Sequence, residues 1–231
     1  MNQKLIMEGW RRFLLNENIE SGDICLYHHG AGKPNQRIIL YKPVEDSQIK
    51  SRLFLDTIIV GAILFQNTNN VVREPCIPET FQVSTIFTHK DYEGQGLQKL
   101  MMDCAFYVLG KEGKGLTSDQ QTGTKHKAAR AWGKIEKSSE YKKRETDDGN
   151  SEFDYTDQTE DPNDDCSMPS HSPATTHSFE KQSASKIQPQ YDSMKSNHIN
   201  FLKKLGRDRD AFNNMLKNRS RADFIERYQG L

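Results

Sequence analysis

What the chain lacks limits the classes of protein that it can be. Only 34% of its 231 residues are hydrophobic, against roughly 45–50% in an ordinary globular protein, so we expect part of it to lie outside any core. Its apolar runs fall short of the ~20 residues that span a bilayer. The first residues lack the apolar stretch and cleavage site of a secretory signal. These absences predict a cytoplasmic protein without a membrane segment.

Cysteine is also scarce and widely spaced. The four cysteines are Cys25, Cys76, Cys104 and Cys166, and no two of them form a CxxC pair. Small disulfide scaffolds and structural zinc sites both need cysteines in dense or closely paired arrangements. The spacing therefore argues against both, and it predicts a reducing compartment and no bound metal.

The chain also lacks a net charge, because its 32 basic side chains are balanced by 32 acidic ones. The two signs are nevertheless separated along the chain: 111–144 is basic, 145–165 is acidic and 198–231 is basic again. Such blocks indicate surfaces and tails with different surroundings. The stretch 111–144 has only two aromatic residues, Trp132 and Tyr141, so we interpret it as a solvated helix face rather than as a nucleic-acid site.

The hydrophobic periodicity predicts an α/β (α+β) domain. β-branched and aromatic runs separated by turn residues predict strands, and a period of 3.6 predicts helices. The order is four strands, a helix, a strand, a helix and a hairpin built on the turn DDGN. These elements cover 24–28, 37–41, 58–66, 81–88, 97–109, 115–118, 124–137, and the paired segments 140–146 and 151–156.

Composition divides the chain into four parts. They are an amphipathic N-terminal helix (1–17), a folded domain (18–157), a polar Pro/Ser/Thr-rich linker that we expect to be disordered (158–197), and short C-terminal helices (198–231). The folded domain therefore carries the candidate site.

One segment of that domain has the pattern of an anion-binding site. The run V83-S-T-I-F-T-H-K-D-Y-E-G-Q-G-L ends a strand, places two glycines two residues apart, and begins a helix at once. Glycines let backbone N–H groups approach a phosphate closely, and a helix N-terminus adds unsatisfied donors and the positive end of the helix dipole. Glycines before a helix also make simple turns, so the pattern alone leaves both interpretations open.

At these residues the chain resembles the GNAT N-acetyltransferase superfamily. The stretch T88-H-K-D-Y-E-G-Q-G-L97 is similar to that family's pyrophosphate loop, V-x-P-x-Y-R-G-x-G-[IL]. The strand and helix from Leu116 to Ile135, and the strand V60-G-A-I-L-F, resemble the elements around it. The resemblance implies a mixed, mostly antiparallel sheet flanked by helices, with a helical or disordered C-terminal extension. It also implies acetyl-CoA as co-substrate, an amine acceptor and no metal.

The resemblance further implies roles for particular residues. Main-chain groups near Phe87 and Thr88 would orient the thioester, and Lys125 stands where an Asn often contacts the cofactor. The pyrophosphate would be held by the backbone amides of Gly94, Gln95, Gly96, Leu97 and Gln98.

The chain departs from the family at several positions. Glu93 stands where Arg or Gln is usual, and Gln98 replaces a small residue. Trp132 stands where many members have the tyrosine that protonates the leaving thiolate, so Tyr141 becomes the candidate acid and His89 the candidate general base. The two helices expected between the first two strands are missing, since only HHGAGKPNQ separates them.

The N-terminus carries a second resemblance. Residues 1–17 form an apolar stripe ending in Leu15-Asn16-Glu17, which is similar to the leader peptides of internal proteins of T4-like phages. An amphipathic helix packed on the domain is the other interpretation. Two functions are thus expected: a phage-encoded GNAT-like acyltransferase of the host cytosol, or a non-catalytic binding protein of the same fold associated with prohead or virion components.

Overall fold

The computed structural model describes residues 24–43, 57–67, 80–118, 126–144 and 178–218. Seven strands and four α-helices lie in these ranges. In chain order they are β1 (Cys25–His29), β2 (Asn35–Lys42), β3 (Ile58–Asn67), β4 (Thr80–Thr88), α1 (Leu97–Gly110), β5 (Gly115–Thr117), α2 (His126–Lys137), β6 (Tyr141–Arg144), β7 (Ser178–Lys181), α3 (Gln188–Leu205) and α4 (Arg209–Asn218).

The strands form one mixed, mostly antiparallel sheet, as expected. Its order is β1-β2-β3-β4-β5-β7-β6. The first four strands form an antiparallel meander, and β5, β7 and β6 also pair antiparallel. The pair β4–β5 is parallel, which requires a crossover connection, and α1 supplies it. The crossover places the start of α1 at the carboxyl end of β4.

The two faces of the sheet are covered by different sets of helices, and α3 contributes to both, with Tyr191 and Met194 on one face and Phe201 and Leu205 on the other. Alternate residues of β2 point to opposite faces, with Ile38 and Leu40 in one cluster and Ile39 and Tyr41 in the other. The first cluster includes the buried residues of α1, together with Trp132 and Ile135 of α2. The second is closed by four buried side chains of α3 and α4: Phe201, Leu205, Phe212 and Leu216. The two faces can therefore carry different ligands.

The C-terminal part of the chain differs from the sequence prediction. A linker was predicted over 158–197, but its described part, from Ser178 onward, forms β7 and most of α3. Phe179 is 1% exposed and Met194 is fully buried, so this segment belongs to the core. The predicted partner of β6 was 151–156, outside the described residues, whereas β6 pairs with β7. The predicted N-terminal helix 1–17 also lies outside them.

Within the described ranges no helix combines the length and the apolarity needed to cross a membrane.

Gly61 allows α1 to lie close to the sheet. A Cβ at this position would stand 2.8–2.9 Å from the side chain of Met101 and 3.0 Å from the carbonyl oxygen of Phe87. The second contact is with backbone, which cannot move aside without disturbing β4.

We expect Gly61→Ala to lower the free energy of unfolding by about 1–3 kcal/mol, because overpacking strains the core. The matched control is Gly133→Ala, inside α2, where the new methyl group meets open space. That substitution should stabilise the helix by about 0.5–1 kcal/mol. Urea denaturation measures both, and equal effects of the two changes would contradict the close contact.

His198 docks α3 on the sheet. Its Nδ1 is hydrogen-bonded to the Tyr41 hydroxyl at 2.7 Å, and the His198 ring lies between Tyr41 and Tyr27. One residue earlier, Asn197 donates from Nδ2 to the carbonyl oxygen of Ile24 at 3.0 Å. Burial lowers the pKa of His198 from 6.5 to about 4.

This lowered pKa predicts a loss of stability in acid. Above pH 6.5 the imidazole is neutral in both states and has no effect. Between pH 6.5 and 4 only the unfolded chain gains the proton, so the free energy of unfolding should fall by about 3 kcal/mol and then level off. Urea denaturation at several pH values measures this. His198→Gln should show a shallower slope, and parallel slopes for the two proteins would rule out His198 as the cause.

Candidate functional site

The glycine segment forms a tight loop between β4 and α1. His89 caps a single 3₁₀ turn, Lys90–Tyr92, in which the Tyr92 N–H donates to the His89 carbonyl at 2.9 Å. Gly94 and Gly96 follow with φ of 77° and 74°, in the left-handed region that side chains disfavour. Alternation of left-handed residues with ordinary ones turns successive N–H groups toward one side, which makes a concave anion site.

The side of the loop that a ligand would approach is open. A Cβ built on Gly94 or on Gly96 meets no atom of the described residues within 4 Å. Glycine is therefore required at these positions by the backbone conformation and not by packing. The side chains of Glu93 and Gln98, the two departures from the family's loop pattern, are exposed to solvent.

The start of α1 leaves backbone donors for a ligand. Its N-cap is Gly96, which has no side chain to accept from the first-turn amides, and the first turn contains no acidic residue. The Leu100 N–H donates to the Gly96 carbonyl at 3.0 Å and begins the intrahelical ladder. The amides of Leu97 and Gln98 precede that bond, so they belong to the helix end where an anion is favoured.

β4 continues past β5 on the side of the loop. Pairing of the two strands runs from Thr80–Gly115 to Gln82–Thr117, whereas β4 extends to Thr88. The described part of β5 thus leaves a gap beside the carboxyl half of β4. In α/β sheets such gaps at the carboxyl ends of strands are where ligands bind.

The backbone N–H of Thr88 is directed to this region. The His89 N–H donates to the Val60 carbonyl of β3 at 2.9 Å. Because successive residues of a strand point their backbone groups to opposite edges, the Thr88 N–H points to the β5 side. Its hydroxyl oxygen is buried and has no hydrogen-bond partner among the described residues. Buried polar groups are nearly always satisfied, so a ligand or water partner is expected here.

His89 lies beside the loop, as the sequence predicted. Its Nδ1 accepts from the Asp91 N–H at 3.2 Å, and the ring packs edge-on against Tyr92 with centroids 5.6 Å apart. Because Nδ1 is an acceptor here, the proton of a neutral His89 ring is on Nε2. In this state Nε2 can donate a hydrogen bond but cannot accept a proton.

Tyr141 lies away from the loop. It pairs with Lys181 of β7, and Phe179 of that strand pairs with Leu116, which is level with Phe81. Tyr141 is therefore level with the amino-terminal end of β4, and about 23 Å of strand separates Phe81 from Thr88 at ~3.3 Å per residue.

The Tyr141 hydroxyl donates to Asp103 Oδ1 at 3.5 Å. Burial raises the pKa of Tyr141, and the neighbouring Asp103 charge raises it further. The side chains of Asp103 and Lys181 are 7% and 8% exposed and lie 2.5 Å apart, while Lys99 pairs with the other carboxylate oxygen at 3.0 Å. This cluster joins α1 to β7. The sequence did not reveal it, because Lys181 lies in a four-residue strand within polar sequence.

Of the other residues named from the sequence, Phe87 and Trp132 pack in the core, and Lys125 lies outside the described ranges. Phe87 packs in the cluster with α3 and α4. Trp132 is 4% exposed and stacks on Phe179, with centroids 6.1 Å apart, so it serves the core. Lys125 lies outside the described residues. The loop therefore brings together Thr88, His89 and the amides from Gly94 to Gln98.

Comparison of the chain with protein-family models, with curated proteins and with solved structures finds no match.

Substitutions in the cluster of Asp103, Lys181 and Tyr141 should lower the free energy of unfolding by very different amounts. Asp103→Ala leaves the buried Lys181 ammonium without its closest partner and should cost about 3–5 kcal/mol of folding free energy. Tyr141→Phe removes one hydrogen bond and should cost only about 0.5–1.5 kcal/mol. Denaturant titration of both variants, with Asp103→Leu/Lys181→Met as the double replacement, measures these terms. The double replacement should have a higher free energy of unfolding than Asp103→Ala. A lower value would show that the unpaired Lys181 charge is not what destabilises Asp103→Ala.

Proposed function

We propose that the chain is a GNAT-like N-acyltransferase, which transfers the acetyl group of acetyl-CoA to an amine. The observation that carries the proposal is the loop of Gly94 and Gly96: two left-handed residues bordered by open space, directly before a helix without a side-chain cap. Pyrophosphate is an anion that such a loop can hold through backbone N–H groups alone.

The sheet supports the same proposal. The sequence resemblance implies that splayed strands admit the pantetheine arm beside the loop. Here β4 and β5 are parallel over three pairs, and β4 then continues past the described part of β5 toward Thr88. An extended chain in this gap would run along the edge of β4, within reach of the Thr88 N–H and hydroxyl.

The loop amides and the main chain beside them would then have separate tasks. The amides of Gly94, Gln95, Gly96, Leu97 and Gln98 would bind the two phosphates. The main chain at Phe87 and Thr88 would orient the thioester, whose carbonyl oxygen could accept from the Thr88 N–H. This arrangement positions the acyl group and offers a donor to the oxygen on which negative charge develops.

The reaction itself requires little of the protein. The lone pair of a neutral amine forms a bond to the acetyl carbonyl carbon, and the carbon–sulfur bond breaks with its electron pair on sulfur. The proton lost by the nitrogen ends on that sulfur, which leaves as the CoA thiol. Tyr141 has no part in this proposal, because its hydroxyl donates to Asp103 at the other end of the sheet. Tyr141→Phe should accordingly leave the transfer rate unchanged.

A binding protein of the same fold without turnover is the second candidate function. The placement of two aromatic side chains favours it: Trp132 is enclosed in the core and Tyr141 faces Asp103, so neither offers a proton to a thiolate near the loop. Release of CoA thiol in the presence of amines separates the two functions.

Calorimetric titration with acetyl-CoA tests the role of the loop. Gly94→Ala/Gly96→Ala should weaken binding by at least about 100-fold, because it disturbs two backbone contacts to charged oxygens. The matched control is Gly32→Ala/Gly113→Ala. These glycines also have positive φ, 71° and 69°, and open space around the new methyl group. The control carries a similar backbone strain in turns elsewhere in the chain.

The proposal requires that the control double variant bind acetyl-CoA like the parent protein. Equal losses in both double variants would attribute the effect to stability rather than to the loop. Unchanged affinity in the Gly94→Ala/Gly96→Ala variant, or no binding by the parent protein, would overturn the proposal.

A further inference from the structure

The helix pair α3–α4 has a defined direction relative to the glycine loop. Near the start of α3, the Tyr191 hydroxyl is hydrogen-bonded to His28 Nδ1 at 3.0 Å. Farther along, Asn197 bonds to Ile24 and Phe201 packs on Tyr41 with centroids 5.9 Å apart. Since β1 runs from Ile24 toward His28, α3 runs antiparallel to it.

α4 returns in the opposite direction. Its Phe212 packs on Tyr41, with centroids 5.4 Å apart, and near its end the Lys217 carbonyl accepts from Arg37 Nη1 at 2.7 Å. The register places Tyr41 opposite Cys25 and Arg37 opposite His29. The turn between α3 and α4 therefore lies at the Cys25–Tyr41 end of the sheet.

This is the end of the sheet that carries the loop. Leu40 pairs with Gly61, and Gly61 pairs with Thr88, so Thr88 is level with the Leu40–Tyr41 step. The neighbouring Phe87 packs in the same cluster as Phe212. The α3–α4 turn thus lies at the same end of the sheet as Thr88, on the face to which Phe87 points.

A basic pocket of about 610 Å³, open to solvent and with its charged lining residues exposed, lies at this turn. It is lined by Leu202, Lys203, Gly206, Arg207, Arg209 and Asp210. Ligand pockets commonly measure roughly 300–1,000 Å³, so a small molecule or a side chain fits. Arg209 is 3.5 Å from Asp210, whereas Lys203 and Arg207 have no carboxylate partner among the described residues. Three cations thus face one carboxylate, and the pocket favours an anion.

We propose that this pocket binds an anionic group, carboxylate or phosphate, carried by the acceptor amine. The inference rests on the proposed acyl transfer, and it adds the chemical class of the acceptor. The sheet separates this pocket from α1 and α2, which cover the other face. An acceptor held here approaches the thioester from the side opposite the loop helix, so the pocket does not serve the phosphates of the cofactor.

The test neutralises the two cations that have no described carboxylate partner. Lys203→Gln/Arg207→Gln is compared with Lys195→Gln/Lys217→Gln, which removes the same charge from exposed positions of the same helices outside the pocket. Thiol release from acetyl-CoA is measured with two matched pairs of amines. They are O-phosphoethanolamine against ethanolamine, and β-alanine against β-alaninamide.

The parent protein and the control should prefer the anionic member of at least one pair, and the identity of that pair distinguishes phosphate from carboxylate. In the pocket variant the KM for that amine should rise about tenfold or more, as loss of charged contacts does. Its kcat and the dissociation constant of acetyl-CoA should not change. Preference for the neutral amines, or an equal KM in both variants, would overturn the inference.

A second measurement does not require turnover. With acetyl-CoA saturating the loop, inorganic phosphate at constant ionic strength should raise the melting temperature of the parent protein and of the control, but not of the pocket variant. Equal shifts in all three proteins, or none, would refute the pocket as an anion site. If the parent protein does not bind acetyl-CoA, the acyltransferase proposal is refuted. The shift of the melting temperature by phosphate still tests the pocket in that case.

Discussion

The parallel pairing of β4 with β5 is the constraint on which the rest of the structure depends. Antiparallel neighbours need only a short turn, whereas a parallel neighbour requires the chain to cross back over the sheet. α1 makes this crossing, and its beginning must therefore lie at the carboxyl end of β4. Because the pairing of the described residues stops at Gln82 and Thr117, the described part of β5 leaves a gap beside the remainder of β4, on the side of that helix end. Backbone donors, open space and a strand edge meet at one place as a consequence.

The same crossing determines which face is left for the C-terminal helices. α1 covers the face to which Ile38 and Leu40 point, so the face of Ile39 and Tyr41 needs another cover. The turn between β1 and β2 is too short to supply helices, as the Lys33 N–H donates to the Gly30 carbonyl at 2.8 Å. α3 and α4 close that face from the other end of the sequence. Their packing on Tyr41 places a basic turn at the end of the sheet that carries the loop, which no local feature of residues 200–210 indicates.

The sequence was sufficient for elements whose signal is local. The meander and α1 follow from periodicity, and the apolar residues Leu97, Leu100, Met101 and Cys104, which recur at helical spacing, are buried. The sequence was insufficient for β7, because Phe179 is the one large apolar residue of this four-residue strand. Its pairing with β5 and β6 also depends on segments that are distant in the chain. The surroundings of Tyr141 were not predicted for the same reason, since its neighbours Asp103 and Lys181 are remote from it in sequence. The loop could be recognised because glycine, strand end and helix start are adjacent in the chain.

The conformation of the loop favours a ligand over a simple turn. A helix that only needs to begin is best capped by Ser, Thr, Asp or Asn in extended conformation, whose side chain satisfies a first-turn amide. Gly96 instead has φ 74° and ψ 4° and provides no such acceptor. The helix therefore begins without the stabilisation that an ordinary capping side chain would provide, and a second left-handed glycine stands two residues before its N-cap. An anion bound to those amides would recover it, and this gives the arrangement a physical reason that chain reversal alone does not.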